Sequence, residues 1–556
     1  MEQSRERRFI DECHAWNPWW EDDFDELQRV SEFHPRSDLY AILKTVDRAT
    51  VGSNSGGHLI GCVGQTGIGK TTLLKHLLAT VIDVSSVGFE VQRRDYDIVD
   101  GYHPTDVLYL PLEQSLYNLE RPDDALQLIQ RIVQYHRTRI AQNPDSTLLL
   151  IDDIGSLDGD PKAVADLLIE LADNSVPLVY TARIADQVQF KTSTPEIEQT
   201  QIPLLPVKFI DFAQSQLSAS ESAELETLQA GESVDARDDP ETMTLQDIRA
   251  PLSDRPDPES FAHKLNTLCF ERLAADQRHQ IADLAREYFR QGGFPRQFTF
   301  GNTSPLADET TNELFRSNLE LFIYKELAEA RSIDRPANLL QLCGLAATPE
   351  TNEYGYRELA ERLGVDRRTV REYLTALADG IVLTESTNYA LQRHRDTRLY
   401  LREPRHAVVL SQRHAHTGFE KLEGRYPYNP TFERLLAETV IFDHAMRLCY
   451  NVGLTPEIEF AETDAGDIEY VLRDGSTVLP FVLDYEPRPG DPVTAAVAFD
   501  PSTGNHENVE GGYESPVRFV LTDALPPQIQ ESQSLLVEQD GVTICYVPFW
   551  AFLLIC

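Results

Sequence analysis

Residues Gly64-Gln65-Thr66-Gly67-Ile68-Gly69-Lys70-Thr71 carry the spacing G-x-x-x-x-G-K-[ST]. The chemistry this suits is the holding of a phosphate chain. Glycines let backbone N–H groups curl round it, the lysine meets its charge, and the final hydroxyl ligates Mg²⁺. Gly64, Gln65, Thr66, Gly67, Ile68, Gly69, Lys70, Thr71 and Thr72 are therefore the candidate ATP-binding residues, with Lys70 reaching the β- and γ-phosphates. Downstream, Leu148-Leu149-Leu150-Ile151 runs into Asp152-Asp153. An apolar run ending in two acids reads as a buried strand delivering carboxylates to the ligand-binding end of a parallel sheet. Asp152 with Thr71 is the expected metal pair, and Asp153 the expected orienter of an attacking water. Thr181, in Thr181-Ala182-Arg183, would bring a hydroxyl beside the γ-phosphate and sense hydrolysis. A strand-end threonine satisfied by its neighbours is the alternative.

The elements that position these groups follow from pattern. Leu59-Ile60-Gly61-Cys62-Val63 reads as a short buried strand and Thr72-Leu73-Leu74-Lys75-His76-Leu77-Leu78 as a helix with an apolar face, so the loop lies between strand and helix as its mechanism requires. Further strands are expected at 106–110, 147–151, 176–180 and 201–205, with helical stretches between them, the clearest at 123–141. This gives an α/β core over 51–212: a parallel P-loop NTPase sheet with an additional strand between the loop strand and the Asp-Asp strand. A leader, 1–50, carries Asn17-Pro18-Trp19-Trp20, read as an anchor on that core. Residues 213–259 are dominated by Ser, Glu, Asp and Gln and read as an acidic, flexible, solvated insertion. A helical lid and connector, 260–345, breaks at Gly292-Gly293-Phe294-Pro295, where a helix cannot continue; there the backbone is expected to approach the nucleotide base.

Residues 346–410 read as a winged helix-turn-helix. Tyr356, Leu359, Ala360 and Leu363 line one helix, Gly364 makes the turn with Val365 as its plug, Asp366 caps the next helix, and Val370, Leu374 and Leu377 face inward. Arg398-Leu399-Tyr400-Leu401-Arg402 suits a wing strand. Arg367, Arg368 and Arg371 face outward, where a recognition helix would read double-stranded DNA. Use of the same fold for intramolecular packing or contact with a protein partner is the other reading.

Acids exceed bases by 90 − 50 = 40, and only nine of the basic residues are lysine. So acidic a chain is a poor general coat for nucleic acid or anionic membrane. Dispersed carboxylates with little lysine read as the surface of a halophilic protein. At molar salt the Debye length is about 3 Å, so any DNA contact must be short-range and well fitted. Seven scattered cysteines, with no Cys-x-x-Cys, fit a reduced cytoplasmic chain. His414-Ala415-His416 reads as a solvated loop rather than a metal site. The N-terminus lacks the apolar core of a signal peptide. The apolar run 542–556 falls short of the ~20 residues of a membrane span and reads as a terminal strand closing a core.

In this order the motifs resemble those of a family of archaeal and bacterial AAA-type ATPases, close to the signalling (STAND-like) P-loop proteins, with a helical lid, a winged helix and a C-terminal domain like restriction endonucleases. The resemblance spans nearly the whole chain. It rests on Asn17 to Trp20, Gly64 to Thr71, Asp152-Asp153, Leu205-Pro206-Val207-Lys208-Phe209, Gly292 to Pro295 and the helix-turn-helix. Two departures matter in the ATPase core. Asp153 stands where many members have Glu, which implies slow turnover, and Thr181-Ala182-Arg183 replaces the usual Thr-Gly-Ser.

Over 425–556 the resemblance implies an α/β nuclease-like domain with Glu438 as the helix acid and Glu469 as the strand acid. Val482 and Asp484 stand where Glu-x-Lys is expected, so two parts of a nuclease are absent and a degenerate, binding-only module is implied. Three functions follow as expectations: an ATP-driven molecular switch coupling nucleotide state to the winged-helix and C-terminal module, an ATP-regulated DNA-binding protein, and an ATP-dependent nuclease. ATP and Mg²⁺ are the expected ligands, a homo-oligomer is compatible, and no membrane association is expected.

Overall fold

The computed structural model describes residues 10–51, 58–82, 101–112, 122–157, 160–172, 177–188, 197–230, 243–253, 255–295, 309–348, 353–390, 396–413, 430–486, 490–504 and 512–556. The chain forms two units. The first comprises Met1–Leu205 and Glu326–Ser332; the second comprises Pro206–Lys325 and Ile333–Cys556.

The first unit is built on a five-stranded parallel sheet: β1 (His58–Val63), β2 (Val107–Pro111), β3 (Leu148–Asp152), β4 (Pro177–Ala182) and β5 (Glu198–Pro203), in the order β2-β3-β4-β1-β5. β4 thus lies between the loop strand β1 and the Asp-Asp strand β3, the insertion expected from sequence. Every residue of β3 and β4 is buried, as near-continuous apolar runs in a parallel sheet should be. Helices Lys70–Val81, Pro122–Tyr135 and Pro161–Ala172 accompany the sheet; Ile129, Val133, Val164 and Leu168 join Leu110, Leu149, Ile151 and Leu178 in one core. β5 begins three residues earlier than expected. Among the described residues it pairs only with β1, so as a half-solvated edge strand it accepts Glu198, Gln199 and Gln201, whose polarity conceals it.

β2 is the other edge. Asn17 places its side chain along it, accepting from the Tyr109 N–H at 2.7 Å and donating to the Tyr109 carbonyl at 3.0 Å. The Trp20 indole N–H donates to the Val107 carbonyl at 3.0 Å. The Asn-Pro-Trp-Trp motif therefore answers backbone groups that an edge strand leaves unpaired.

The second unit contains one mixed sheet of nine strands: β6 (Glu353–Gly355), β7 (Leu383–Asn388), β8 (Asp396–Leu401), β9 (Glu459–Thr463), β10 (Gly466–Asp474), β11 (Thr477–Asp484), β12 (Val517–Thr522), β13 (Leu536–Gln539) and β14 (Val542–Pro548), ordered β13-β14-β12-β11-β10-β9-β7-β8-β6. Regions 346–410 and 425–556 are expected as separate domains. Parallel pairing of β7 with β9, through Thr387–Glu459 and Asn388–Phe460, makes their strands one sheet.

Two further expectations are corrected. The stretch 213–259 is not simply solvated: it contributes helices Ala219–Ala230 and Leu245–Arg249, and Leu225, Leu228, Leu245, Ile248 and Leu252 are buried in the core. A few leucines at helical spacing suffice when packed neighbours complete the apolar surface. The terminal run does not end as a strand: β14 stops at Pro548, and Phe549–Ile555 is a buried helix. His414 and His416 lie outside the described residues. All seven cysteines are free and buried; burial pushes the thiols of Cys13, Cys62, Cys269, Cys343 and Cys449 up to about 12. Among the described residues no helix is long and apolar enough to cross a membrane.

Candidate functional site

At the C-terminal end of β1 the chain turns sharply into helix Lys70–Val81. Gly67 and Gly69 have φ of 87° and 96°, left-handed values that favour glycine. A Cβ on Gly64 would stand 2.7 Å from the Leu204 carbonyl, so the loop can run here only without a side chain. The helix starts at Lys70 with no side-chain cap, leaving its first N–H groups directed at the loop, as anion binding requires. Gln65 and Ile68 are buried, Thr66 is partly so, and Thr72 is half-buried in the first helical turn. Lys70 Nζ donates to the carbonyls of Gly64 at 2.8 Å and Gln65 at 3.0 Å. Burial lowers its pKa, while Asp153, Asp152 and Glu326 act in the opposite direction.

β3 brings the acids to this loop. Thr71 Oγ1 donates to Asp152 Oδ2 at 2.6 Å, Tyr109 OH donates to the same oxygen at 2.9 Å, and Thr181 Oγ1 donates to Asp152 Oδ1 at 2.6 Å. The structure thus brings Lys70, Thr71, Asp152 and Thr181 together. Thr181 is fully buried and also accepts from the Asp153 N–H at 2.7 Å. Its hydroxyl therefore touches both acids. The Thr71–Asp152 oxygen pair is the hard donor set that Mg²⁺ takes. No group of three or more His, Cys, Asp or Glu suited to a metal occurs among the described residues, and an Mg²⁺ held by one carboxylate, one hydroxyl, phosphates and water needs none.

Asp153 adopts left-handed φ of 61° and is tightly engaged. Arg183 Nε donates to its Oδ1 at 2.9 Å, Arg183 Nη2 and Ser156 Oγ bind its Oδ2, and Arg183 Nη1 reaches Glu326 Oε1 at 2.8 Å. The Thr66 hydroxyl donates to the same Glu326 carboxylate, 3.1 and 3.3 Å from its oxygens. A second guanidinium, Arg36, donates to the carbonyls of Ile68 at 2.7 Å and Leu205 at 2.6 Å. Sequence reasoning missed Tyr109, Arg36, Ser156 and Glu326 and gave Arg183 no part. Tyr109 reaches Asp152 because β2 pairs with β3, an adjacency with no local mark in the sequence. Glu326 had none either: nothing local connects it to a loop 260 residues earlier.

In the second unit, Gly292-Gly293 meets Glu403. The Gly293 N–H donates to Glu403 Oε2 at 3.0 Å, and the Gly293 carbonyl accepts from Val207 N at 2.7 Å. Burial pushes Glu403 up to about 8 against the pull of the Gly293 and Arg405 N–H groups and the Arg405 charge. Beside it, Asp443 is also buried, yet Arg447 and Arg402 hold it down at about 2. Helices Tyr356–Leu363 and Arg367–Asp379 join through Gly364 at φ 65°, and Asp366 caps the second by accepting from Thr369 N at 2.8 Å. Arg367, Arg368 and Arg371 are all exposed; Arg368 pairs with Glu372 at 3.0 Å and Arg371 lies over the Tyr356 ring. Glu438 and Glu469 both face Arg434, at 2.7 and 2.8 Å. Val482 is buried in β11, and Asp484 accepts from Thr522 Oγ1 at 3.0 Å.

Residues 282–404 match a domain of unknown function (DUF8612). No curated protein matches the chain. Among solved structures it is similar to the Aeropyrum pernix ORC1 protein in complex with DNA, at 15% identity over 68% of this chain and 91% of that one, with a TM-score of 0.25. It is similar also to the Aeropyrum pernix ORC2 protein (ADPNP-ADP complexes), at 13% identity over 68% and 94%, TM-score 0.29. C. elegans PCH-2 aligns at 15% identity over 46% of this chain and 62% of that one, TM-score 0.21. Overlaps this shallow assign no partner or activity, so the functional reading rests on the chain's own geometry.

Proposed function

We propose that this protein is an AAA-type ATP-binding switch with slow hydrolysis. The observation that carries the reading is the 2.6 Å contact of Thr71 with Asp152 directly behind a glycine loop whose Lys70 is buried against it. Loop N–H groups and Lys70 would hold the phosphates of ATP, and Thr71 and Asp152 would hold Mg²⁺, which supplies charge neutralisation at the terminal phosphate. Asp153 is the group suited to orient water. Its engagement by Arg183 and Ser156 supports slow turnover, because a carboxylate already hydrogen-bonded on both oxygens must give up a partner before it can hold a water. The test is equilibrium binding of a non-hydrolysable ATP analogue with Mg²⁺ to the parent and to Lys70→Ala. Loss of at least tenfold in affinity is expected; equal affinities would remove the site assignment.

A second reading, that a winged helix over 346–410 contacts duplex DNA, is favoured by the exposed side chains of Arg367, Arg368 and Arg371 on one helix. Binding of a labelled duplex that is lost in the triple alanine variant would support it; identical anisotropy curves would dismiss it. The nuclease reading loses support from Arg434: Glu438 and Glu469 already share a cation supplied by the chain. We read residues 425–556 as a degenerate nuclease-like module kept for binding, and the acidic surface as adaptation to a high-salt cytoplasm.

A further inference from the structure

Glu326 is placed where the proposed function gives it no part. It is 6% exposed, and it belongs to the first unit although the residues on either side of Glu326–Ser332 belong to the second. Its carboxylate accepts from the Thr66 hydroxyl, on the third residue of the glycine loop, and from Arg183 Nη1. Arg183 in turn holds Asp153. One guanidinium therefore joins the carboxylate at the loop to the carboxylate expected to orient water. A carboxylate hydrogen-bonded to a phosphate-binding loop occupies donors of the kind that phosphate oxygens use. A terminal phosphate held by the same loop would meet Glu326 as a like charge at short range, in a buried setting where screening is weak.

We propose that Glu326 is an internal competitor for the terminal phosphate of the nucleotide, and so a specificity-determining residue that sets the ratio of triphosphate to diphosphate affinity. The proposal rests on the nucleotide-binding reading of loop 64–71. A diphosphate leaves Glu326 on Thr66 and Arg183. A triphosphate displaces it, and Arg183 turns from Glu326 to the phosphate oxygens. Displacement releases the stretch Glu326–Ser332 from the loop, and its covalent neighbours, helices Glu309–Leu321 and Pro336–Ala346, receive the nucleotide state through the chain.

The test compares the full-length parent with Glu326→Gln, which keeps an oxygen for Thr66 and nearly the same shape but removes the charge. Calorimetric titration is run with Mg²⁺ and either ADP or a non-hydrolysable ATP analogue. The expected result is that analogue affinity rises at least tenfold while ADP affinity stays within threefold. Glu326→Ala should shift the ratio in the same direction, so the outcome does not hang on one fold. Trypsin cleavage after Lys325 and Arg331 should increase when the analogue, but not ADP, is added to the parent. If both nucleotides bind and their affinity ratio is unchanged in the two variants, the proposal is overturned and the nucleotide-binding reading stands. If neither parent nor variant binds any nucleotide, the reading of the loop falls and the proposal falls with it.

Discussion

Asp153 shows how a single side chain can be placed and restrained together. Its amide is fixed by Thr181 and its carboxylate by Arg183 and Ser156. Asp153→Asn should therefore leave affinity for the ATP analogue within about threefold and lower single-turnover hydrolysis at least tenfold, since a general base contributes roughly 10²–10⁴ in rate. Equal single-turnover rates would remove Asp153 from the chemistry. Glu403 offers a test through proton linkage. A glutamate titrates near 4.3 in an unfolded chain, whereas burial raises Glu403 to about 8 in the fold. The folded state thus holds the proton more tightly. The resulting stabilisation is complete below about pH 4.3 and declines as pH rises to about 8. The melting temperature of the parent minus that of Glu403→Gln should fall across pH 5 to 8 and level off above; a constant difference would place the carboxylate in contact with water. At this scale the sequence was readable where chemistry is contiguous, as in Lys70-Thr71 and Asp152-Asp153. It was silent on Glu326 and Arg36, which reach the loop only through tertiary approach and whose types carry no spacing signal.

At the scale of elements, burial decides what the sequence discloses. β3 and β4, covered on both faces, are apolar runs and were placed within one or two residues of their observed starts. β5 was misplaced because an edge strand with exposed side chains looks like a loop. The acidic stretch concealed two helices because Leu225, Leu228 and Ile248 need only a narrow apolar stripe. The Asn-Pro-Trp-Trp motif was legible as an anchor, but its seat on β2 was not, since what it satisfies is backbone. That seat predicts an energetic effect. Asn17→Ala removes both partners of Tyr109's backbone and leaves a buried N–H unanswered, which costs about 1–3 kcal/mol. Urea unfolding monitored by tryptophan fluorescence should show the early loss; a midpoint equal to the parent's would mean that water replaces the amide.

Over the whole molecule, charge is the governing quantity. With a net charge of −40, self-repulsion opposes every compact form of the chain. The Debye length falls from about 30 Å at 0.01 M to about 3 Å at 1 M, so salt confines repulsion from a domain's width to immediate neighbours. Melting temperature followed by circular dichroism should therefore climb steeply between 0.05 and 1 M KCl and more gently to 3 M; a flat profile would mean that the carboxylates are not a salt adaptation. The continuity of the nine-stranded sheet was not readable, because the pairing of Thr387 with Glu459 joins strands far apart in the chain and leaves no local mark. The seven buried cysteines give this salt dependence a record of its own. A thiol sealed in the core reacts only when its surroundings open, and these are distributed from Cys13 and Cys62 in the first unit to Cys545 and Cys556 in the second. As KCl is diluted away, an alkylating reagent should mark them one after another, so that the chain writes the sequence of its own unfolding in covalent tags that mass spectrometry can read.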